Sequence, residues 1–243
     1  NMIGVCLHDL GKTDEALTQL FAALGLYRSR GDLGHVASTL LDLGMVYRGR
    51  GELRAAEEAY LEAMDFLRES SDKTRLANVL NNLGRFLLVQ GNYLEAAGRF
   101  NQAMECAAQI GNSRMEAFIF SSFGDLYAEL EAYEAAQRAY SQSRQIARRL
   151  RHRSLNFYLD LAEAALARKM GNVERTRGLL HLAGKYALGS GSIQELSLFR
   201  LEFGITALTE KQFDAALEAL DGALTGFVEA KRKLDIARTL FYL

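Results

Sequence analysis

Side chains able to do chemistry are few and scattered. The 243 residues include four histidines, His8, His35, His152 and His181, and two cysteines, Cys6 and Cys106. Cys6 and His8 stand two residues apart, a spacing that points their side chains in different directions on a helix. No His-Glu-x-x-His pair offers a metalloprotease zinc site. Two cysteines so far apart build neither a disulfide framework nor a zinc knuckle, and they are expected as partly buried thiols in a reducing compartment. The glycines around Gly184-Lys185 and Gly189-Ser190-Gly191 are a poor phosphate loop. From Gly178 to Gly184-Lys185 the spacing is one residue too long, no Ser or Thr follows the lysine, and no strand precedes it. No catalytic residue, metal ligand or cofactor site is therefore assigned.

Charge adds little. The formal net charge is −1, which gives no drive toward nucleic acid or an anionic membrane. The one dense run, Arg144, Arg148, Arg149, Arg151 and Arg153, suits the C-terminal end of a helix, where cations meet the negative end of the helix dipole. No apolar stretch is long enough to span a bilayer, no leader segment is visible, and the expected location is cytoplasmic.

The elements carrying these residues are helices. The chain has no proline, the residue that most disrupts helix interiors. A 40-residue ruler runs through it. Gly4, Gly44, Gly84, Gly124 and Gly204 lie on one mark, with Ala164 on the sixth. Ala16, Ala56, Ala96, Ala136 and Ala216 share another, with Thr176 as the exception, and Ala23, Ala63, Ala103, Ser143, Ala183 and Ala223 a third. Between them stands a large residue: Leu20, Tyr60, Phe100, Tyr140, Leu180 and Leu220. Small residues let two helices approach, and the large one fills the space beside them. Gly11, Gly51, Gly91 and Gly171 mark stops between the two helices of four of the repeats. Gly31-Asp32, Ser71-Asp72, Gly111-Asn112 and Gly191-Ser192 mark the junctions between hairpins, with Asp, Asn or Ser as N-caps. Ser192 and Glu195 have capping-box spacing. In the third repeat the pattern predicts helices over about 73–90 and 92–113.

The segment Leu83-Gly84-x-x-Leu87, Gly91, Ala96, Phe100 and Ala103 resembles the tetratricopeptide signature, as does Leu43-Gly44-x-x-Tyr47, Gly51, Ala56, Tyr60 and Ala63. The 40-residue unit is similar to the repeats of maltose-activator-type bacterial transcription regulators, Rap-type peptide receptors, kinesin light chains and Pins-type scaffolds. The resemblance implies an all-α fold, a right-handed superhelical solenoid of antiparallel helix hairpins. About six repeats are expected (1–37, 38–77, 78–117, 118–157, 158–197 and 198–237), with a partial seventh over 238–243. They form a single domain over 1–243, expected to be a fragment of a longer protein. Repeat five departs from the pattern, with Ala164 for Gly, Thr176 for Ala, and Glu163 where Leu43, Leu83 and Phe123 stand. Repeats four and six have Glu131 and Lys211 in place of the hairpin glycine.

In such arrays the first helix of each hairpin lines a concave groove that takes extended peptides. Carried over residue by residue, that groove comprises Asp42 and Arg48, then Asn78, Asn81, Asn82 and Arg85, then Ser121, Ser122 and Asp125. Asparagine is a poor helix former, and its amide can both donate to and accept from a peptide backbone. The cation pattern of the chaperone-tail clamp is missing, since Ser122, Tyr158 and Ala162 follow where its later residues would stand. Further on the groove turns apolar, with Phe118, Tyr158, Leu161, Leu198, Leu201 and Ile205.

The resemblance implies a non-catalytic module that binds a protein or peptide in the groove. Its context would be the sensor or interaction domain of a larger cytoplasmic regulator, a transcription regulator first among these. The alternatives are a stand-alone scaffold or oligomerisation module, or the accessory repeat domain of a signalling enzyme. An adjoining domain of the same protein is a further candidate partner, and homo-oligomerisation stays open. Nucleic acid and membrane are not expected partners of this segment.

Overall fold

A computed structural model describes residues 2–9, 12–68 and 71–243, though not the side chains of Val5, Cys6, His8 or Asp9. The expectations for Cys6, His8 and Gly11 therefore lie outside the described residues. The described residues form thirteen helices. They are α1 (Met2–Asp9), α2 (Thr13–Ser29), α3 (Leu33–Gly49), α4 (Leu53–Arg68), α5 (Lys73–Val89), α6 (Tyr93–Gln109) and α7 (Ser113–Glu129). Then follow α8 (Tyr133–Arg149), α9 (Arg153–Lys169), α10 (Val173–Ser190), α11 (Ile193–Thr209), α12 (Phe213–Glu229) and α13 (Lys233–Tyr242). Successive helices pair as antiparallel hairpins, and the odd-numbered helices also pack on one another as an inner layer. The result is an all-α, right-handed superhelical solenoid.

The ruler marks are the hairpin contacts. Gly84 lies against Phe100 so closely that a Cβ there would stand 2.5 Å from the ring, and Gly44 meets Tyr60 in the same way. Phe100, Tyr60, Ala96, Ala56, Ala103 and Ala63 are fully buried. The second helix of the third repeat ends earlier than the sequence pattern predicts, at Gln109 rather than near 113. Gly111 turns left-handed there, and Asn112 already caps α7.

The junction caps form as their residue types require. Asp32, Asp72, Asn112 and Ser192 accept from the backbone N–H three residues on, and His152 does the same for Leu155. Only half of the capping box exists. Glu195 N donates to Ser192 Oγ, but the Glu195 carboxylate accepts from Tyr186 Oη at 3.3 Å instead of returning to the Ser192 N–H.

Among the described residues ten helix stops use a left-handed residue, whether or not glycine occupies it. Lys211 has φ 61° and Glu131 φ 56°, matching Gly51 at 72° and Gly91 at 80°. A side chain with a Cβ is strained in that region, and glycine is not. Lys211→Gly is therefore expected to raise unfolding stability by about 0.5–1 kcal/mol. A urea midpoint shifted upward at unchanged slope would show it.

The superhelix completes one turn, and its last repeat rests on its first. Thr13 Oγ1 donates to the Ala230 carbonyl at 3.0 Å, and Lys231 pairs with Asp14. Arg50 donates from Nη1 to the same Asp14 at 2.7 Å and from Nε to Glu52 at 2.6 Å. Lys233 packs over Gly51, and α13 lies against α3. This seam makes the concave face a lumen, walled around its circumference and reached along the superhelix axis.

Candidate functional site

One register of residues on α3, α5, α7 and α9 places polar side chains into the lumen. On α5 the positions Asn78, Asn82 and Arg85 follow one another at helical spacing along a single stripe. Arg85 lies in this stripe, half-buried, with its guanidinium carbon 5.6 Å from the Tyr158 ring centre in a cation–π contact. Tyr158 belongs to α9, two hairpins away, and its hydroxyl donates to Asp125 Oδ2. Tyr140, at the large packing position of α8, donates to Asp125 Oδ1 at 2.9 Å. Side chains from repeats three, four and five thus meet at a single constriction.

Arg48 enters from repeat two. Its guanidinium interacts with Tyr60 and with Arg85, and with the Arg232–Asp235 pair of α13 across the seam. Burial and the neighbouring Arg85 both work against its charge, so its pKa lies below the ordinary arginine value. Burial also works against Arg85, but Tyr158 and Asp125 reverse the balance and leave its pKa raised. Burial pushes the Asp125 carboxyl up, with Arg85 and the two tyrosine hydroxyls opposing. Tyr140 and Tyr158 are driven far up, first by burial and then by the Asp125 charge, so both remain neutral donors. Among the described residues no carboxylate forms an ion pair with Arg48 or Arg85. The Tyr60 hydroxyl, fully buried near both arginines, has no hydrogen-bond partner.

The nine residues proposed from sequence divide by burial. Asp42, Arg48, Asn78, Arg85 and Asp125 are partly accessible. Asn81, Asn82, Ser121 and Ser122 are buried. Asn82 Nδ2 donates to the Asn78 carbonyl and side-chain oxygens, both at 3.0 Å. Ser121 and Ser122 both donate to the Phe118 carbonyl of their own helix, a common retreat for a mid-helix serine. The Asn81 side-chain oxygen is buried without a partner. Of the apolar stretch, Leu201 and Ile205 belong to the core. Nearby, Glu202 is clasped by Arg168 through two nitrogens at 2.9 and 3.2 Å. The sequence reasoning missed Tyr60 and Tyr140. They are tyrosines at a position that packing alone would fill with Phe or Leu, and a buried tyrosine usually finds a partner for its hydroxyl.

The arginine run also resolves. Arg148, Arg149, Arg151 and Arg153 are exposed, but Arg144 is turned inward. It binds Asp160 and Glu163, each at 2.7 Å, while Arg175 reaches the second Glu163 oxygen at 3.0 Å. Leu24, Leu40 and Leu43 make the same inter-repeat contact as an apolar cluster, and so do Met64, Leu80 and Leu83. At the next junction Gly184 replaces the large residue altogether. An open cavity of about 470 Å³ lies there, lined by Leu180, Leu188, Phe199 and Phe203. The described residues hold no group of three His, Cys, Asp or Glu side chains able to bind a metal ion. None of their helices is long and apolar enough to cross a membrane.

Hairpins of this length, stacked with a small-residue ruler around a concave inner layer, define a helical-repeat interaction scaffold. The chain belongs to the tetratricopeptide repeat family, whose model matches residues 1–69 and 75–149. Solved structures share the fold. BtubC (BKLC) from P. vanneervenii is 17% identical with a TM-score of 0.65, covering 88% of this chain and 90% of that one. The apo form of RapI is 14% identical with a TM-score of 0.64, covering 96% and 97%. A Rap protein complexed with competence and sporulation factor is 16% identical with a TM-score of 0.69, covering 96% and 70%. A search of curated proteins finds no match. Repeats of this family generally serve as non-catalytic scaffolds for protein interaction.

Proposed function

We propose that this chain is a binding module that holds a protein or peptide in its lumen, as the sensor or interaction domain of a larger regulator. The observation that carries this is the convergence of Arg48, Arg85, Asp125 and Tyr158, from four successive repeats, on one constriction. A core position gains nothing from such a collection, because desolvated charge is costly without partners. A binding surface uses it for orientation and specificity. The Rap protein seen with competence and sporulation factor supports a peptide ligand and a regulatory context. A transcription regulator is the first context to test by sequencing the flanking gene.

Selection from a displayed peptide library tests the reading. Peptides enriched on the unmodified chain are expected to bind an Asn78→Ala, Arg85→Ala variant at least about tenfold more weakly, the loss typical of a central arginine contact. Circular dichroism should show equal helicity in both. Equal affinity for the two would remove the lumen as the binding surface.

A further inference from the structure

We infer that the lumen is a seat for an anionic group, a carboxylate on an acidic peptide, held between Arg48 and Arg85 with the Tyr60 hydroxyl as a third donor. This rests on the lumen being the binding surface and names the chemistry of what it takes.

Three observations point the same way. Arg48 and Arg85 come from successive repeats, lie near one another within the protein, and have no ion-pair partner among the described residues. Buried cations are normally paired, and two of like charge placed together repel. Tyr60 is fully buried, its ring lies against Gly44, and its hydroxyl, close enough to feel both arginines, has no hydrogen-bond partner. Asp125 favours the Arg85 charge from a distance, while each of its oxygens accepts from a tyrosine, Tyr140 or Tyr158. Asp42 and Asp235 are also near, but neither forms an ion pair with Arg48 or Arg85, and Asp235 is paired with Arg232. Neither guanidinium therefore has a carboxylate at ion-pair distance among the described residues. A carboxylate supplies two acceptor oxygens in the plane that a guanidinium fork matches.

A site preserved for a ligand carries a signature that a structural site does not. Removing an unpaired, desolvated cation should leave stability unchanged or raise it while abolishing binding. The probes are N-acetylated, C-amidated tetraglutamate and tetraglutamine, with citrate and inorganic phosphate as free anions, titrated calorimetrically into the full chain. Tetraglutamate is expected to bind at least about tenfold tighter than tetraglutamine. Arg48→Gln should reduce that affinity by about tenfold or more with a melting temperature equal to or above the parent's. Tyr60→Phe should weaken it by a smaller factor with no loss of melting temperature. Arg48→Lys, which keeps the charge but not the fork, should recover part of the binding.

Equal binding of tetraglutamate and tetraglutamine would overturn the anion seat and leave the peptide-binding lumen standing. Citrate or phosphate bound through the same arginines, with tetraglutamate excluded, would overturn the assignment to a peptide. A lower melting temperature for Arg48→Gln, with no probe bound by the parent, would make these arginines structural and overturn the inference entirely.

Discussion

Alanine in place of Glu163 is expected to cost about 3 kcal/mol of unfolding free energy, because it removes one of the two counter-ions of a buried arginine. Glu163 is only 7% exposed and Arg144 only 12%. One Arg144 nitrogen, Nη2, already lacks a partner, so the guanidinium has no spare contact to fall back on. Asp160 would remain as its sole counter-ion, itself buried and with its carboxyl pushed up by that burial. The contrasting experiment returns the whole cluster to the residue types of repeat two and its neighbour. Arg144→Met, Asp160→Leu and Glu163→Leu together reproduce Met64, Leu80 and Leu83. Buried ion networks exchanged as a unit for well-packed apolar side chains are commonly neutral or stabilising. The triple variant should therefore match or exceed the parent in chemical denaturation. If it is as unstable as Glu163→Ala alone, the loss is one of shape at this junction and the electrostatic account fails.

Gly84→Ala is the second large effect, expected near the upper end of the roughly 1–3 kcal/mol range for overpacking. The added methyl would sit 2.5 Å from Phe100 Cε1 and 3.2 Å from the Ala96 carbonyl oxygen. Neither can retreat easily, since Phe100 is fully buried and Ala96 O belongs to the facing helix backbone. Repeat five supplies the remedy. There Ala164 occupies the glycine mark, and Leu180 occupies the aromatic one, both buried. Gly84→Ala combined with Phe100→Leu should recover part of the loss, so that the two substitutions couple favourably in a double-mutant cycle. Additive losses would mean that the glycine is required for something other than clearance of the ring.

These two cases also show what a single sequence makes legible. The ruler of Gly84, Ala96, Phe100 and Ala103 contains the hairpin, because a close helix–helix approach restricts residue size at fixed spacing. The departure at Glu163 is equally visible, but its partner Arg144 is not. Arg144 belongs to a run of arginines that looks like a solvated helix end, and only packing shows which of them turns inward. The residues of the expected groove divide by burial for a similar reason. Asn81 and Asn82 are adjacent in sequence but about 100° apart around a helix. They flank the line through Asn78 and Arg85 on its two sides, and both are buried. The seam between Thr13 and Ala230 has no sequence signal. It arises from small rotations summed over all the repeats, and no local pattern records that sum.

That seam changes the mechanics of the molecule. An open solenoid is a soft spring whose pitch and radius fluctuate continuously, because each repeat contacts only its neighbours. Here the Thr13–Ala230 hydrogen bond and the Asp14 pairs with Lys231 and Arg50 tie the spring's ends together. A tied coil cannot change its bore gradually. It must keep its diameter or release the clasp, so stretching becomes a two-state event whose threshold is set by a few surface contacts. The aperture at Arg48 and Arg85 is thereby held at fixed calibre by contacts that lie outside it.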